Sequence, residues 1–104
     1  MSSTVFLGRD NRIRLQLQQD GQTVQEGAVQ RAVLKLLNSG VVFDTDSDND
    51  ITIESNGTEV VVQGGTREIP PKIYAGLLTV YDQPNPNGIA WAEVTLRVRD
   101  WPAE

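Results

Sequence analysis

Residues 90–99 alternate between apolar and polar along almost their whole length. Ala92, Val94, Leu96 and Val98 fall on one side, and Glu93, Thr95, Arg97 and Arg99 on the other. Residues 12–18 repeat the pattern, with Ile13, Leu15 and Leu17 opposite Arg12, Arg14, Gln16 and Gln18. A period of two places successive side chains on opposite faces of an extended chain, so both stretches are expected to be strands with one dry face and one wet face. A strand cannot pair its own backbone groups. Such segments must join sheets, and each dry face must be covered by a second layer. Trp91 shares the outward parity of the last strand unless a bulge reverses it.

The rest of the chain reads in the same way. Val41-Val42-Phe43, Ile51-Thr52-Ile53-Glu54 and Val60-Val61-Val62 are short β-branched runs, and Asn56-Gly57 between the last two is a hairpin signal. Gly64-Gly65 reads as a turn leaving that hairpin. It is no phosphate loop, because neither a Lys-Ser or Lys-Thr pair nor a helix follows. Pro70-Pro71 interrupts regular structure. Residues 73–81 form the next strand, with Tyr74, Gly76, Leu78 and Val80 on one face, followed by a turn-rich loop over 82–88. Residues 1–10 read as a loose arm or a short first strand, Asp20-Gly21 as a turn, and 101–104 as a tail.

Residues 28–37 fit two templates. As a helix, Val29, Ala32, Val33, Leu36 and Leu37 make a stripe, with Asn38 and Gly40 near a C-cap. As a strand the alternation is poor. The strand is preferred, because every neighbour is a strand and a sandwich needs this segment as a ladder partner. The expected architecture is all-β: one domain over residues 1–104, with 1–10 and 100–104 as extended termini. Its form is an immunoglobulin-like antiparallel β-sandwich of six to eight short strands. A small Greek-key barrel is the alternative.

The sequence lacks Cys and His. Thiol nucleophiles, disulfides, His general bases and ordinary structural zinc sites are therefore excluded. No nucleophile elbow occurs, and nothing in the spacing of Asp82, Glu93 and Asp100 selects a catalytic carboxylate pair. Lys35 and Lys72 are bases only in principle. The chain is read as no enzyme, with no cofactor. A net charge of -5 argues against nucleic acid, and no apolar run is long enough to cross a membrane as a helix. The N-terminus carries no basic, apolar leader, which fits synthesis in cytosol.

Asp44, Asp46, Asp48 and Asp50 alternate as the first odd positions of a calcium loop would. Asn49 replaces the turn glycine, and Ser55 stands where the last Glu is needed. The motif is defective. The stretch is read as a solvated acidic loop, mobile without a cation, and no metal is assigned. Arg12, Arg14, Arg97 and Arg99 would make a basic stripe if the first and last main strands paired, suited to an acidic neighbour or to the acidic loop of another copy. Tyr74 enters a late strand, where sandwiches use a Tyr hydroxyl to tie a preceding loop. Trp91 is a candidate for closing the core or for an interface, and so is Trp101.

Residues 69–91, Ile-Pro-Pro-Lys-Ile-Tyr-Ala-Gly-Leu-Leu-Thr-Val-Tyr-Asp-Gln-Pro-Asn-Pro-Asn-Gly-Ile-Ala-Trp, resemble small immunoglobulin-like structural proteins of tailed bacteriophages. The shared order is a Pro-containing turn, a Tyr entering a strand, a Tyr-Asp, and an Asn-Pro-x-Gly loop leading to Trp. The segments 12–15 and 40–45 are similar too. Lys72 departs from the resemblance where a turn glycine is usual, and so does the dense Asp44–Asp50 cluster. The resemblance implies a non-enzymatic virion component of capsid, neck or tail, made in the host cytoplasm. Its partners would be other virion proteins and copies of itself, and Tyr74 and Trp91 would have structural roles. The alternative is a carbohydrate-binding or host-recognition module, which needs Trp91 and Tyr81 side by side in a solvent-facing groove. A third reading is a calcium-stabilised adhesion module.

Overall fold

The computed structural model describes residues 2–19, 22–23, 29–54, 59–83 and 85–100. Ten strands follow in chain order: β1 Ser2–Leu7, β2 Ile13–Gln16, β3 Gln18–Gln19, β4 Gln22–Thr23, β5 Arg31–Leu36, β6 Val41–Asp44, β7 Ile51–Glu54, β8 Glu59–Val62, β9 Ile73–Asp82 and β10 Asn85–Asp100. No helix occurs among the described residues. Five strands form one sheet in the order β1-β10-β9-β5-β6. Three form a second, β2-β8-β7, and β3-β4 make a small separate ribbon. The two larger sheets face each other across one apolar core, so the fold is an all-β sandwich with eight strands in its two layers.

Alternation decides which side chains meet in that core. Leu15 and Leu17 from the β2 segment, Leu34 and Leu36 from β5, Phe43, Ile51 and Leu78 are each at most 2% exposed. Val94, Leu96 and Val98 from β10 are equally buried. The strand reading of residues 28–37 holds over Arg31–Leu36, while residues 29, 30 and 37 lie outside the strand. Ala32, Leu34 and Leu36 point inward, and β5 is a central strand paired with both β6 and β9. The helix-like features have another use. Asn38 (φ 62°) and Gly40 (φ 73°) take the left-handed conformation that ends helices, but here they turn the chain from β5 into β6. The Ser39 hydroxyl donates to the Leu36 carbonyl and accepts from the Val41 N–H, which fixes that turn.

The expected antiparallel arrangement has one exception. Strand β1 runs parallel to β10, with Ser2 opposite Thr95 and Leu7 opposite Asp100. Of the two readings of the N-terminal segment, residues 2–7 take the strand, and Val5 is wholly buried. The loop expected over 82–88 is mostly strand as well, because β10 already begins at Asn85, opposite Asp82. The pairing then slips twice, between Asn85 and Ile89 and between Ala90 and Ala92. The second slip is a bulge at Trp91. It turns that side chain from its outward parity to pack, half-buried, against the core. Strands β7 and β8 pair antiparallel as the Asn56-Gly57 signal predicts, while residues 55–58 themselves lie outside the described residues.

Tyr74 is 2% exposed, and its hydroxyl donates to the Pro70 carbonyl at 2.6 Å. This tie, four residues back at the entry to β9, is the tyrosine corner of immunoglobulin-like sandwiches. In antibody domains the second Cys of the inter-sheet disulfide follows that Tyr by two residues. Gly76 occupies the equivalent place here. A Cβ on it would meet Leu34 Cδ1 at 3.1 Å and Leu36 Cδ2 at 3.4 Å. Two leucines of the neighbouring strand in the same sheet thus fill the space over the glycine on its inward face.

Leu96→Ala is expected to cost about 2–4 kcal/mol through the lost methyl groups and the cavity left behind. Thr95→Ala, on the wet face, is expected to stay within about 0.5 kcal/mol. Chemical denaturation of the two variants measures both.

Candidate functional site

The sharpest polar construction is the loop that follows β6. Its four carboxylates are divided between two arginines, one on the paired strand β5 and one in the segment that follows β8. Arg31, at the start of β5, places Nε 3.0 Å from Asp44 Oδ1 and Nη2 2.5 Å from Asp44 Oδ2, a two-pronged contact. It also lies 3.4 Å from Asp46 Oδ2. Arg67, in the segment after β8, grips Asp50 with Nε at 2.7 Å and Nη2 at 2.8 Å, and reaches Asp48 at 3.2 Å. Its third prong donates to the Val42 carbonyl at 2.7 Å, and its guanidinium lies 3.9 Å over the Phe43 ring. The loop also closes on itself: Asp48 Oδ2 accepts the Asp44 N–H, and Asp44 Oδ1 accepts the Asp46 N–H.

These contacts correct the reading of residues 44–50 as a merely solvated loop. Asp44, Asp48 and Asp50 are partly buried and paired, and Asp46 stands out into solvent. The four carboxylates face two guanidinium groups instead of converging on one point. Among the described residues no group of three or more acidic side chains is placed to hold a metal ion. The Asp44 carboxyl is held below the usual carboxylate range, first by the Arg31 side chain and then by the Asp46 N–H. The same contacts raise Arg31, and Asp50 raises Arg67.

The clamp also seals an edge. Strand β6 ends the five-stranded sheet, so its outward backbone groups have no strand to pair with. Arg67 takes the Val42 carbonyl, Asp48 takes the Asp44 N–H, and the Ser47 and Asp48 N–H groups take the Asp44 carbonyl. At the opposite edge the Asn11 side chain bonds both the N–H and the carbonyl of Phe6 on β1. Neither Arg31 nor Arg67 stands out in the sequence, because each lies far along the chain from its partner. The available signal is stoichiometric: four carboxylates in seven residues require counter-charge from outside the segment.

The four arginines singled out from the sequence do not form a stripe. Arg12 and Arg14 belong to the β2 segment in the three-stranded sheet, while Arg97 and Arg99 project from β10 in the other. The first pair is neutralised, Arg12 by Glu54 at 2.6 Å and Arg14 by Glu59 at 2.9 Å. Arg97 and Arg99 line a shallow groove with Lys72 and Ile73. Trp91 and Tyr81 are not neighbours on a shelf either. Trp91 packs on the core, whereas Tyr81 faces outward beneath Arg31, 4.8 Å from its ring centre. Gly88 (φ 87°) rests on the same ring, where a Cβ would fall 2.8 Å from Tyr81 Cε2. Asp82 bonds Asn85, and Glu93 and Asp100 are separated by seven steps of one strand, about 23 Å. Trp101 lies outside the described residues.

Comparison with models of protein families, with curated proteins and with solved structures gave no match.

Because the folded Asp44 carboxyl titrates below its unfolded value, its stabilising contribution is complete above about pH 4. It is lost as pH falls through the lowered folded value. Thermal melts should therefore show a gap between wild type and Asp44→Asn at neutral pH that closes in acid. Calcium is expected to leave the melting midpoint where a chelator leaves it, and calorimetry in both conditions checks this.

Proposed function

We propose that this chain is a non-enzymatic assembly module of a bacteriophage particle, acting through protein–protein contacts in capsid, neck or tail. The observation that carries the reading is the run of residues 69–91, with its Tyr74 corner, its Asn-Pro-Asn-Gly segment and its Trp91 bulge. Its order resembles small phage immunoglobulin-like proteins. The fold is consistent with this role, because a sandwich with exposed outer faces and strand edges offers surfaces for neighbouring chains. The chemical alternatives have less support. The carboxylates weighed for hydrolysis are not gathered within the ~5–10 Å such chemistry uses. A sugar shelf would need the two aromatics that the fold assigns to different faces.

Mass spectrometry of gradient-purified particles, combined with chemical cross-linking, tests the proposal. The expected result is this chain in several copies per particle, cross-linked to other virion proteins. Recovery only from the particle-free fraction would overturn it.

A further inference from the structure

Among the described residues, the large apolar side chains left exposed are Val42, Ile73 (58% exposed) and Leu77. All three project from the outer face of the five-stranded sheet, since their neighbours Phe43, Tyr74 and Leu78 point into the core. Leu77 stands near the middle of that face, in a cross-strand row with Glu93, Lys35 and Val42. The outer face of the three-stranded sheet is different. Arg12 and Arg14 are there paired with Glu54 and Glu59.

Charge on the five-stranded face is divided between two diagonal corners. At the β10 corner, Arg97 and Arg99 flank Ile73, Lys72 lines the same groove with its ammonium 5.0 Å from the centre of the Tyr74 ring, and Asp100 is the one carboxylate there. None of these three cations makes an ion pair with a described residue. At the β6 corner, the four carboxylates of the acidic loop outnumber Arg31 and Arg67 by two, and Asp46 is 64% exposed. Asp44 is level with Thr79 through Val33, and Ile73 is level with Arg97. The corners are thus six strand steps and three strand spacings apart, roughly 20 Å by 14 Å.

We propose that this face binds the same face of a second copy, about a two-fold axis lying between the two sheets and perpendicular to that diagonal. In this arrangement each acidic corner covers the partner's basic corner, so the attraction is made twice. The exposed Leu77 and Ile73 become the apolar contacts of the joint. The pairing deepens the assembly reading by naming one partner, and its chemistry rests on this face alone.

Sedimentation velocity of the full chain tests it. A species of dimer mass is expected in low salt, with a dissociation constant that rises at least tenfold between about 0.05 M and 0.5 M salt as the corner charges are screened. Leu77→Asp is expected to give a monomer that melts cooperatively, with the midpoint the wild type shows when diluted to monomer. Asp46→Lys, and separately Lys72→Glu combined with Arg97→Glu, should each weaken self-association. Mixing those two variants should restore the dimer mass, because each corner is again matched. A wild-type monomer at high concentration in low salt would overturn the proposal. A dimer indifferent to Leu77→Asp would also overturn it, as would a mass that grows with concentration without a plateau, the mark of head-to-tail contacts. A monomer that is nevertheless found in particles defeats the pairing and spares the assembly reading. A dimer from a chain missing from particles does the reverse.

Discussion

The layers of this sandwich are held together by side-chain packing between their inward faces, where Leu34, Leu36, Leu78 and Val80 of the five-stranded sheet share one core with Leu15, Ile51, Val60 and Val62 of the three-stranded sheet, and everything else is hung on that contact. Strand β9 is hydrogen-bonded on both sides, to β5 and to β10, so its backbone is fixed along nearly its whole length. Tyr74, Leu78 and Val80 point inward from it, and Gly76 leaves room for Leu34 and Leu36 to close over the strand. Without cysteine, no covalent link between the sheets is available to offset a loosely packed centre. The inward residues of these two strands must therefore be both apolar and of matched volume.

The same geometry accounts for where polar groups are spent. With the core faces closed, unsatisfied backbone remains at the sheet edges, and β6 is the edge with the most apolar sequence. The acidic loop is usefully understood as the cover of that edge. Its own turn amides and the Asp48 carboxylate supply hydrogen bonds to Asp44, and its negative charge recruits Arg67 to the Val42 carbonyl. Arg67 is therefore at once counter-ion, backbone partner and lid over the Phe43 ring. A run of aspartates that looks from its composition like a ligand for a cation serves here to organise side chains already in the chain.

Much of the fold was legible, because it is written in a period of two. The burial of Leu15 and Leu17 and of Val94, Leu96 and Val98 follows from alternation, and the Tyr74 corner follows from its place at the start of β9. Residues 31–36 were readable only by appeal to their neighbours, since Asn38 and Gly40 carry a backbone conformation that suits a helix end and a tight turn equally. What could not be read was which strands sit side by side. The basic stripe failed because β2 and β10 join different layers, and the two arginine clamps were missed because their partners lie far along the chain. Trp91 was ambiguous for a related reason. A single extra residue in the ladder reverses its parity, and no local pattern announces it.

The parallel pairing of β1 with β10 has a consequence for biogenesis. Residues 2–7 leave the ribosome early, yet the hydrogen-bonding partner that completes their side of the sheet is residues 95–100. Until that partner is synthesised, Val5 has no finished layer to enter, and the nascent N-terminal segment must wait as open chain. Adoption of the native sheet is thereby delayed until residues 95–100 have been made and can reach the N-terminal strand.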